Sequence, residues 1–255
     1  MKTLEKLASL TDPILVENVD SATSRIIRYN FDLVYAICGT EGSGKSTFAI
    51  FLAKLFNEFL KEKLNTNEDF FTIKEHIATD VLEYIEKCYR YRHKKYQIWI
   101  WDEAILDMFS REAMKKVNRK LVKFFAVNRS FNHIHLLVIP NLFYLDINIR
   151  EHRIKSMFLT YYFQDDLSQR FVAIYSKDDL TRILRRRKYL SPLFSRPYIF
   201  IEKVPTNALG IPFPKMEDFL TPSEIAEYQR IKEELQDRVL EEILEDNYKK
   251  YIIEV

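Results

Sequence analysis

The amino-acid sequence predicts an α/β fold in which a mainly parallel β-sheet carries helices on both faces. Three short apolar runs, at residues 33–38, 97–101 and 133–139, have the composition of buried strands. Segments with helical spacing of apolar residues alternate with these runs along the chain. Strands that alternate with helices are typical of a parallel sheet, because each return to the same edge of the sheet needs a crossover connection.

The apolar runs and the helices between them predict the centre of the sheet. The first strand, LVYAIC, ends at Gly39, and apolar residues recur with helical spacing from Phe48 to Leu60. A second helix is predicted over 78–91 and leads to the strand QIWIW. A third helix, over 111–128, precedes the strand HIHLLVI, which stops at a Pro-Asn pair.

The C-terminal part of the chain predicts a hairpin, an irregular segment and a long helix. The strand-like runs SMFLTYYF and RFVAIY are separated by QDDLSQ, which favours a β-hairpin at the edge of the sheet. Residues 189–220 are rich in proline and aromatic residues, and we expect them to wrap the surface. Thr221, Pro222 and Glu224 then have the order that starts a helix with a capping box.

Length and composition favour one large domain with appended segments. The chain of 255 residues is predicted to comprise an N-terminal extension (1–30), a core (31–188) and a C-terminal wrapping segment with a long helix (189–255). Its 39 Lys and Arg nearly balance 37 Asp and Glu, which excludes a uniformly basic nucleic-acid coat. Two cysteines without C-x-x-C spacing favour a reducing compartment. Because no signal peptide or membrane span is evident, we expect a cytoplasmic protein without membrane insertion.

Glycine is scarce in this chain, yet three of its four glycines lie within six residues. The segment GTEGSGKST, residues 39–47, matches the P-loop pattern G-x-x-x-x-G-K-[ST] between a predicted strand and a predicted helix. Such a loop surrounds nucleotide phosphates with backbone N–H groups at the positive end of a helix, and side chains at the turn would block that approach. The predicted nucleotide-binding residues are Gly39, Thr40, Glu41, Gly42, Ser43, Gly44, Lys45, Ser46 and Thr47.

Two carboxylates at the end of the second predicted strand complete the expected chemistry. The pattern predicts that Lys45 reaches the β- and γ-phosphates and that the Ser46 hydroxyl ligates Mg²⁺. Asp102 follows the run IWIW, where its carboxylate can hold the water shell of the metal. Glu103 comes next and can polarise the attacking water as a general base, although the two carboxylates can also be a helix N-cap pair. ATP and Mg²⁺ are therefore the predicted cofactors.

The P-loop and the run hhhhDE together resemble the ASCE division of P-loop NTPases, whose members have an additional strand and a catalytic glutamate. More narrowly, NRSFNHIHLLVIPNLFYLDINIREHR resembles the HerA–FtsK superfamily of DNA-pumping ATPases, especially its viral and plasmid genome-packaging and Zot-like members. This resemblance implies a RecA-like core with two further catalytic residues, an arginine finger at Arg129 and a sensor at Asn141, where the family usually has glutamine. It also implies a homo-oligomeric ring, with a hexamer as the candidate size, that acts on DNA with a viral or plasmid protein as a further partner.

Several of these residues also have structural explanations. Arg129 can cap the C-terminal end of helix 111–128 instead of acting across a subunit boundary, and Arg150 and Arg153 are further finger candidates. The basic runs RYRHKKY and RILRRRK either bind nucleic acid or protect strand edges. One face of helix 111–128 is basic apart from Glu112, and it is either a DNA contact or a solvated surface. Its cations are Lys115, Lys116, Arg119, Lys120 and Lys123. We expect His133, His135 and His152 to be packing or surface residues.

Three functions are open on the sequence. The first is a Mg²⁺-dependent, ring-forming ATPase that couples hydrolysis to DNA translocation, as in genome packaging or plasmid transfer. The second is an ATP-gated switch or assembly factor in DNA replication. The third is a phosphotransferase with a small acceptor, against which Glu103 argues because it would activate water rather than exclude it. ATP is preferred to GTP, since no guanine-reading N/T-K-x-D motif is present.

Overall fold

The structure, a computed structural model, describes residues 3–102, 111–163 and 166–253. Two compact units make up the chain, and the division between them falls between Phe219 and Leu220. The first unit holds a β-sheet and its helices, whereas the second is dominated by one long helix. The predicted C-terminal segment 189–255 therefore contributes to both units.

Seven strands form one sheet within the described residues, in the order β2-β3-β4-β1-β5-β6-β7. The strands are β1 (Leu33–Gly39), β2 (Ile77–Ala78), β3 (Ile98–Trp101), β4 (Ile134–Val138), β5 (Ile154–Phe163), β6 (Asp166–Tyr175) and β7 (Ala208–Pro212). Pairing is parallel from β2 through to β5, and antiparallel between β5 and β6 and between β6 and β7. In β1, Tyr35 lies beside Leu136 of β4 and Ser156 of β5. The predicted α/β class and mainly parallel sheet are confirmed.

The helices predicted after β1 and over 111–128 are confirmed. The described helices are α1 (Thr3–Ala8), α2 (Pro13–Tyr29), α3 (Lys45–Leu64), α4 (Ile73–His76), α5 (Val81–Arg90), α6 (Arg111–Asn128), α7 (Lys177–Arg185), α8 (Arg187–Leu190), α9 (Pro197–Lys203), α10 (Met216–Phe219) and α11 (Pro222–Ile253). Short 3-10 turns cover Arg129–Phe131, Leu142–Tyr144 and Ser191–Ser195, and a π-helical turn covers Ile149–Arg153.

The helix predicted over 78–91 begins later than expected, at Val81. Asp80 caps it, because its carboxylate accepts hydrogen bonds from the N–H groups of Leu82 and Glu83 at 2.7 and 2.9 Å. The residues before this cap, Ile77–Ala78, form the two-residue strand β2 instead, which the sequence did not predict.

Side chains of β1 alternate between two apolar layers, which is why helices cover both faces of the sheet. On one face the Tyr35 ring stacks on Phe56 of α3 at a centroid distance of 6.0 Å. The opposite layer belongs to an apolar cluster that includes Val34, Ala36, Cys38, Tyr84 of α5, Leu121 of α6 and Leu180 of α7. Because every residue of β1 is buried, the strand that leads into the P-loop is fixed from both sides.

The predicted hairpin is present, but its expected place at the edge of the sheet is wrong. β5 pairs with the central strand β1, β6 pairs with β5, and β7 pairs with β6 to form the edge. The sequence of β7, ALGIP, lacks alternating apolar residues and most of its side chains are not buried. Its place depends on main-chain pairing with a distant strand, which a local pattern does not reveal.

The segment 189–220 is more than the surface wrap that its composition suggests. It contains α9, β7, α10 and a 3-10 turn, and Leu190, Phe194 and Phe200 are buried in the apolar core. Its aromatic residues therefore serve the core, whereas the prolines mark the starts of short elements such as α9.

The second unit begins with the predicted capping box. The Glu224 N–H donates to the Thr221 hydroxyl at 3.3 Å, and the Thr221 N–H donates to the Glu224 carboxylate at 2.9 Å. α11 then runs from Pro222 to Ile253. Among the described helices, none is both long enough and apolar enough to cross a membrane.

Two histidines beside and within β4 are buried, as expected for packing residues. The Trp99 indole N–H donates to His133 Nδ1 at 3.0 Å, so the proton of the neutral ring lies on Nε2, 2.9 Å from the Lys94 carbonyl oxygen. Burial lowers the pKa of His133 to about 4 and also lowers the pKa of His135. Both rings are therefore neutral at pH 7, and His152 is exposed.

His133 predicts that the fold loses stability in mild acid. Its folded pKa of about 4 lies below its ordinary value of 6.5, so between these values the unfolded chain binds a proton that the folded chain does not. The contribution is complete above pH 6.5 and is lost as the pH falls toward 4, costing about 2 kcal/mol by pH 5. Urea denaturation at both pH 7 and pH 5 measures this loss. His133→Gln should reduce the difference in unfolding free energy between pH 7 and pH 5, whereas His93→Gln, at an exposed position, should not. An equal difference in the two variants would contradict the role of His133.

Candidate functional site

The predicted P-loop lies where β1 passes into α3, at the carboxyl end of the central strand. The Ser43 N–H and hydroxyl both donate to the Thr40 carbonyl oxygen, at 3.3 and 2.7 Å, which closes a tight turn. α3 begins at Lys45, and the N–H groups at the start of a helix have no hydrogen-bond partners within the helix. These N–H groups lie next to the tight turn. Turn and helix together form a backbone anion site of the kind that phosphates use.

Glycine is required at both ends of this turn. Gly44 has a φ of 85°, in the left-handed region, and a Cβ there would lie 2.8 Å from Arg170 Cδ. A Cβ on Gly39 would lie 2.6 Å from both the Ser43 hydroxyl oxygen and the Thr160 carbonyl oxygen. A side chain on Gly39 would collide with the turn and with β5, and Gly44 has a left-handed φ that other residues rarely adopt, which explains why so much of the chain's glycine is found here.

Backbone oxygens hold Lys45 across the mouth of the loop. Its Nζ donates to the Gly39 carbonyl oxygen at 3.2 Å and to the Thr40 carbonyl oxygen at 2.8 Å. Phosphate oxygens are charged acceptors and therefore form stronger hydrogen bonds with an ammonium than carbonyl oxygens do. Lys45 is thus placed to exchange these carbonyls for the phosphates of a bound nucleotide.

A hydrogen bond joins the two predicted metal-binding residues, one in the first turn of α3 and the other just after β3. The Ser46 hydroxyl donates to Asp102 Oδ1 at 2.8 Å, although 56 positions separate the two residues. Asp102 directly follows β3 and is 1% exposed, and its N–H donates to the Ala78 carbonyl oxygen of β2 at 2.8 Å. A hydroxyl and a carboxylate are oxygen ligands of the type that Mg²⁺ prefers, so the residues present fit the predicted cation.

The predicted general base, Glu103, lies outside the described residues. Of the remaining loop residues, Thr47 is buried at the start of α3, whereas Glu41 and Gly42 are exposed at the tip of the turn. The described part of the predicted site therefore combines a tight turn at a helix N-terminus, a lysine and a hydroxyl–carboxylate pair.

Thr160 of β5 supports the loop and was not predicted from the sequence. Its hydroxyl oxygen lies 2.7 Å from the Ser43 hydroxyl oxygen, and it donates to the Cys38 carbonyl oxygen at 3.2 Å, in a fully buried position. These contacts tie β5 to the turn on both sides of Gly39. The only signal in the sequence is one threonine in the run SMFLTYYF, which also suits an ordinary strand position.

Asn141 follows β4 at the carboxyl ends of the parallel strands, where the P-loop also lies. Its side-chain oxygen accepts from the Phe143 N–H at 2.9 Å, and its side-chain amide donates to the Ser191 carbonyl oxygen at 3.0 Å. These bonds give Asn141 a structural role, because they join the end of β4 to the turn at Ser191–Ser195. Its role as a sensor stays a prediction.

The three arginine-finger candidates differ in their surroundings. Arg129 precedes β4 and is exposed. It therefore lies at the amino ends of the parallel strands, whereas the P-loop lies at their carboxyl ends. Arg150 is 3% exposed and donates to the Phe143 carbonyl oxygen at 3.4 Å, and burial lowers its pKa. Arg153 forms an ion pair with Asp32. Arg150 and Arg153 are therefore engaged within the fold, and Arg129 is the candidate that is exposed for contact with another chain.

A cationic cavity of about 690 Å³ lies beside Arg129 at the amino ends of the parallel strands. Among the described residues that line it are Arg25, Arg129, Arg153, Lys155 and Lys177, with Asp32 as the one carboxylate. Burial raises the pKa of Asp32, although the Arg153 guanidinium opposes that shift. Positive charge therefore exceeds negative charge around this cavity, and an anion presented by another molecule would be attracted to it.

α6 separates basic and apolar side chains as predicted. Val117, Leu121 and Phe125 are buried in the core. The exposed side chains on the opposite face include five cations, Lys115, Lys116, Arg119, Lys120 and Lys123, and also Ala126 and Val127. These five cations lie on the first helix that the structure describes after β3.

Comparison with known proteins adds no family assignment. The chain matches no protein-family model, and no curated protein sequence is significantly similar to it.

Proposed function

We propose that this chain is a Mg²⁺-dependent ATPase that assembles into a ring and couples ATP hydrolysis to DNA translocation, as in genome packaging or plasmid transfer. The observation that carries the proposal is the 2.8 Å hydrogen bond between Ser46 and Asp102 at the first turn of α3. It brings a hydroxyl and a carboxylate to the helix end where backbone N–H groups would hold the phosphates. Mg²⁺ bound there would neutralise charge on the phosphate oxygens. Lys45 would donate to the β- and γ-phosphates, and Glu103 would accept a proton from the attacking water.

The order of the strands supports a RecA-like core of the ASCE type. β4 lies between β1, which leads into the P-loop, and β3, which leads into Asp102. It is therefore in the position of an additional strand, the feature that the resemblance implies. Asn141 comes just after this strand, as a sensor in that arrangement would.

The position of Arg129 supports an active form with more than one chain. The five residues of β4 rise about 3.3 Å each, so roughly 16 Å of strand lies between Arg129 and the edge of the sheet that carries the P-loop. Arg129 would therefore stabilise phosphate charge on a neighbouring chain rather than on its own. The cationic cavity beside Arg129 would attract the negatively charged phosphates of a nucleotide bound to the neighbouring chain.

The exposed cationic row on α6 supports the DNA component of the proposal. A row of lysine and arginine side chains contacts a phosphate backbone without regard to base sequence, as a translocating motor requires. Because α6 follows the strand that ends at Asp102, it is the nearest described helix in chain order through which hydrolysis could alter a grip on DNA.

Phosphate release and native mass, measured on one preparation, test the proposed function. We expect Mg²⁺-dependent hydrolysis that double-stranded DNA stimulates, and a ring-sized oligomer with DNA and a non-hydrolysable ATP analogue. Glu103→Gln should bind nucleotide without hydrolysing it. A monomer whose hydrolysis rate changes with neither single- nor double-stranded DNA would contradict the motor. Biological activity that survives Glu103→Gln would favour the ATP-gated switch.

Mixing two inactive variants tests the contribution of Arg129 across the subunit boundary. Arg129→Ala keeps an intact P-loop, and Lys45→Ala keeps an intact Arg129. Within mixed rings, the P-loop of one variant would meet the arginine of the other, so hydrolysis should reappear on mixing. Mixtures that stay as inactive as the separate variants would contradict the trans role.

A small-molecule phosphotransferase, the third function that the sequence leaves open, has one observation in its favour, because a cavity of about 450 Å³ opens beside Thr40 of the predicted P-loop. Tyr162, Arg196 and Tyr198 contribute to its lining. A cavity of this size suits a small ligand. Release of phosphate to water in the absence of any acceptor would argue against this candidate.

A further inference from the structure

Arg170 of β6 lies against the N-terminal end of α3. A Cβ built on Gly44, the residue that precedes the helix, would be 2.8 Å from Arg170 Cδ and 3.0 Å from its Nη1. The guanidinium therefore occupies the space over the last glycine of the P-loop, immediately before Lys45 and Ser46. No nucleotide-binding motif in the sequence includes this arginine.

The sheet and one aromatic side chain fix this position. Arg170 lies opposite Tyr162 in the β5–β6 pair, and its carbonyl oxygen accepts from the Phe213 N–H at 3.2 Å. The Phe213 ring packs against Phe48 of α3 at a centroid distance of 5.2 Å. Phe213 also borders the same space, because its Cζ would lie 3.1 Å from a Cβ on Gly44. The hydrogen bonds of its backbone to both sides therefore fix Arg170 at the N-terminal end of α3, and its side chain is half-buried there.

Arg170 adds positive charge to a helix end where Asp102, which accepts a hydrogen bond from Ser46, is the carboxylate already described. The N-terminal end of α3 carries the positive end of the helix dipole, and the Lys45 ammonium lies across the same loop. Arg170 adds a third positive group. Among the side chains that the structure describes, no carboxylate forms an ion pair with Arg170. A phosphate is the kind of group that would interact favourably with all three.

We propose that Arg170 binds the phosphate chain of a nucleoside di- or triphosphate in its own subunit, as a cation that acts in cis at Gly44. The inference rests on the proposed nucleotide site and adds a residue to it. A guanidinium suits this role because its planar N–H groups can donate two parallel hydrogen bonds to phosphate oxygens. Arg170 differs from Arg129 in that its contribution does not need a second chain.

Calorimetric titration of the full chain with Mg·ADP and with Mg·tripolyphosphate tests the proposal. Arg170→Met removes the charge and keeps the apolar stem, Arg170→Lys keeps the charge, and Arg28→Met is a matched control at an exposed position of α2. We expect Arg170→Met to weaken both ligands by about 10- to 100-fold, the usual effect of losing hydrogen bonds to a charged group. Arg170→Lys should recover part of this loss, and Arg28→Met should match the wild-type chain. Thermal unfolding of each variant verifies that the fold is retained.

Two results would overturn the role of Arg170 alone. The first is equal affinity of the wild-type chain and Arg170→Met for both ligands. The second is a loss that affects ADP but not tripolyphosphate, because that pattern would mean contact with the base rather than with phosphate. A wild-type chain that binds neither ligand would overturn the nucleotide site itself, so the two failures are distinguishable.

Discussion

Replacing Lys45 with alanine is expected to lower the rate of ATP hydrolysis by about 10²- to 10³-fold, the usual cost of removing one donor that stabilises transition-state charge. Lys45 Nζ lies within hydrogen-bonding distance of two carbonyl oxygens at the mouth of the loop, at 3.2 and 2.8 Å. When a nucleotide binds, this ammonium would donate hydrogen bonds to the phosphate oxygens instead. Alanine has no donor that could replace it. Steady-state phosphate release with saturating Mg·ATP measures the loss.

A control on the same helix separates this effect from a change in fold. Lys63 lies near the opposite end of α3, where it forms an ion pair with Asp20 at 2.6 Å. Lys63→Ala removes one positive charge from the same helix and should leave hydrolysis within about twofold of wild type, as expected for an exposed ion pair. Comparable rates for Lys45→Ala and Lys63→Ala would contradict the role of Lys45.

Asp102→Asn is expected to raise the Mg²⁺ concentration needed for half-maximal hydrolysis by about 10- to 100-fold, the usual effect of removing a group that orients a metal's ligands. Asparagine has nearly the same size, so the buried side chain keeps its space while the negative charge beside Ser46 is lost. The measurement is hydrolysis over a range of Mg²⁺ concentrations at fixed ATP.

Two further variants sharpen the result for Asp102. Asp80→Asn changes a carboxylate that caps α5 and should leave the Mg²⁺ requirement unchanged. Ser46→Ala removes the donor of the 2.8 Å hydrogen bond, so its effect should not add to that of Asp102→Asn in the double variant. Fully additive effects would show that the two residues do not share one metal.

The sequence predicted those parts of the site that depend on local patterns. A P-loop is a continuous segment, and a strand that ends in Asp102 is recognisable from four apolar residues before it. Parallel strands carry their carboxyl ends to the same edge, so the approach of Asp102 to Ser46 followed from the fold class. The amphipathic helix α6 was predictable for a similar reason, because its period of 3.6 residues appears in one segment.

The rest depended on pairing between distant segments. Thr160 supports the P-loop only because β5 pairs with β1, and Arg170 reaches Gly44 only because β6 pairs with β5. Arg150 and Arg153 looked as available as Arg129 in the sequence, yet tertiary packing buries one and pairs the other with Asp32. The local sequence of each of these residues would be the same in a strand or turn with other neighbours.

Calorimetric titration of the wild-type chain with ADP, in the presence and absence of Mg²⁺, tests whether the P-loop with the Ser46–Asp102 pair is a magnesium–nucleotide site. We expect one nucleotide bound per chain, tighter binding with Mg²⁺, and loss of that gain in Asp102→Asn. No binding by the wild-type chain, or binding that neither Mg²⁺ nor Asp102→Asn alters, would contradict such a site.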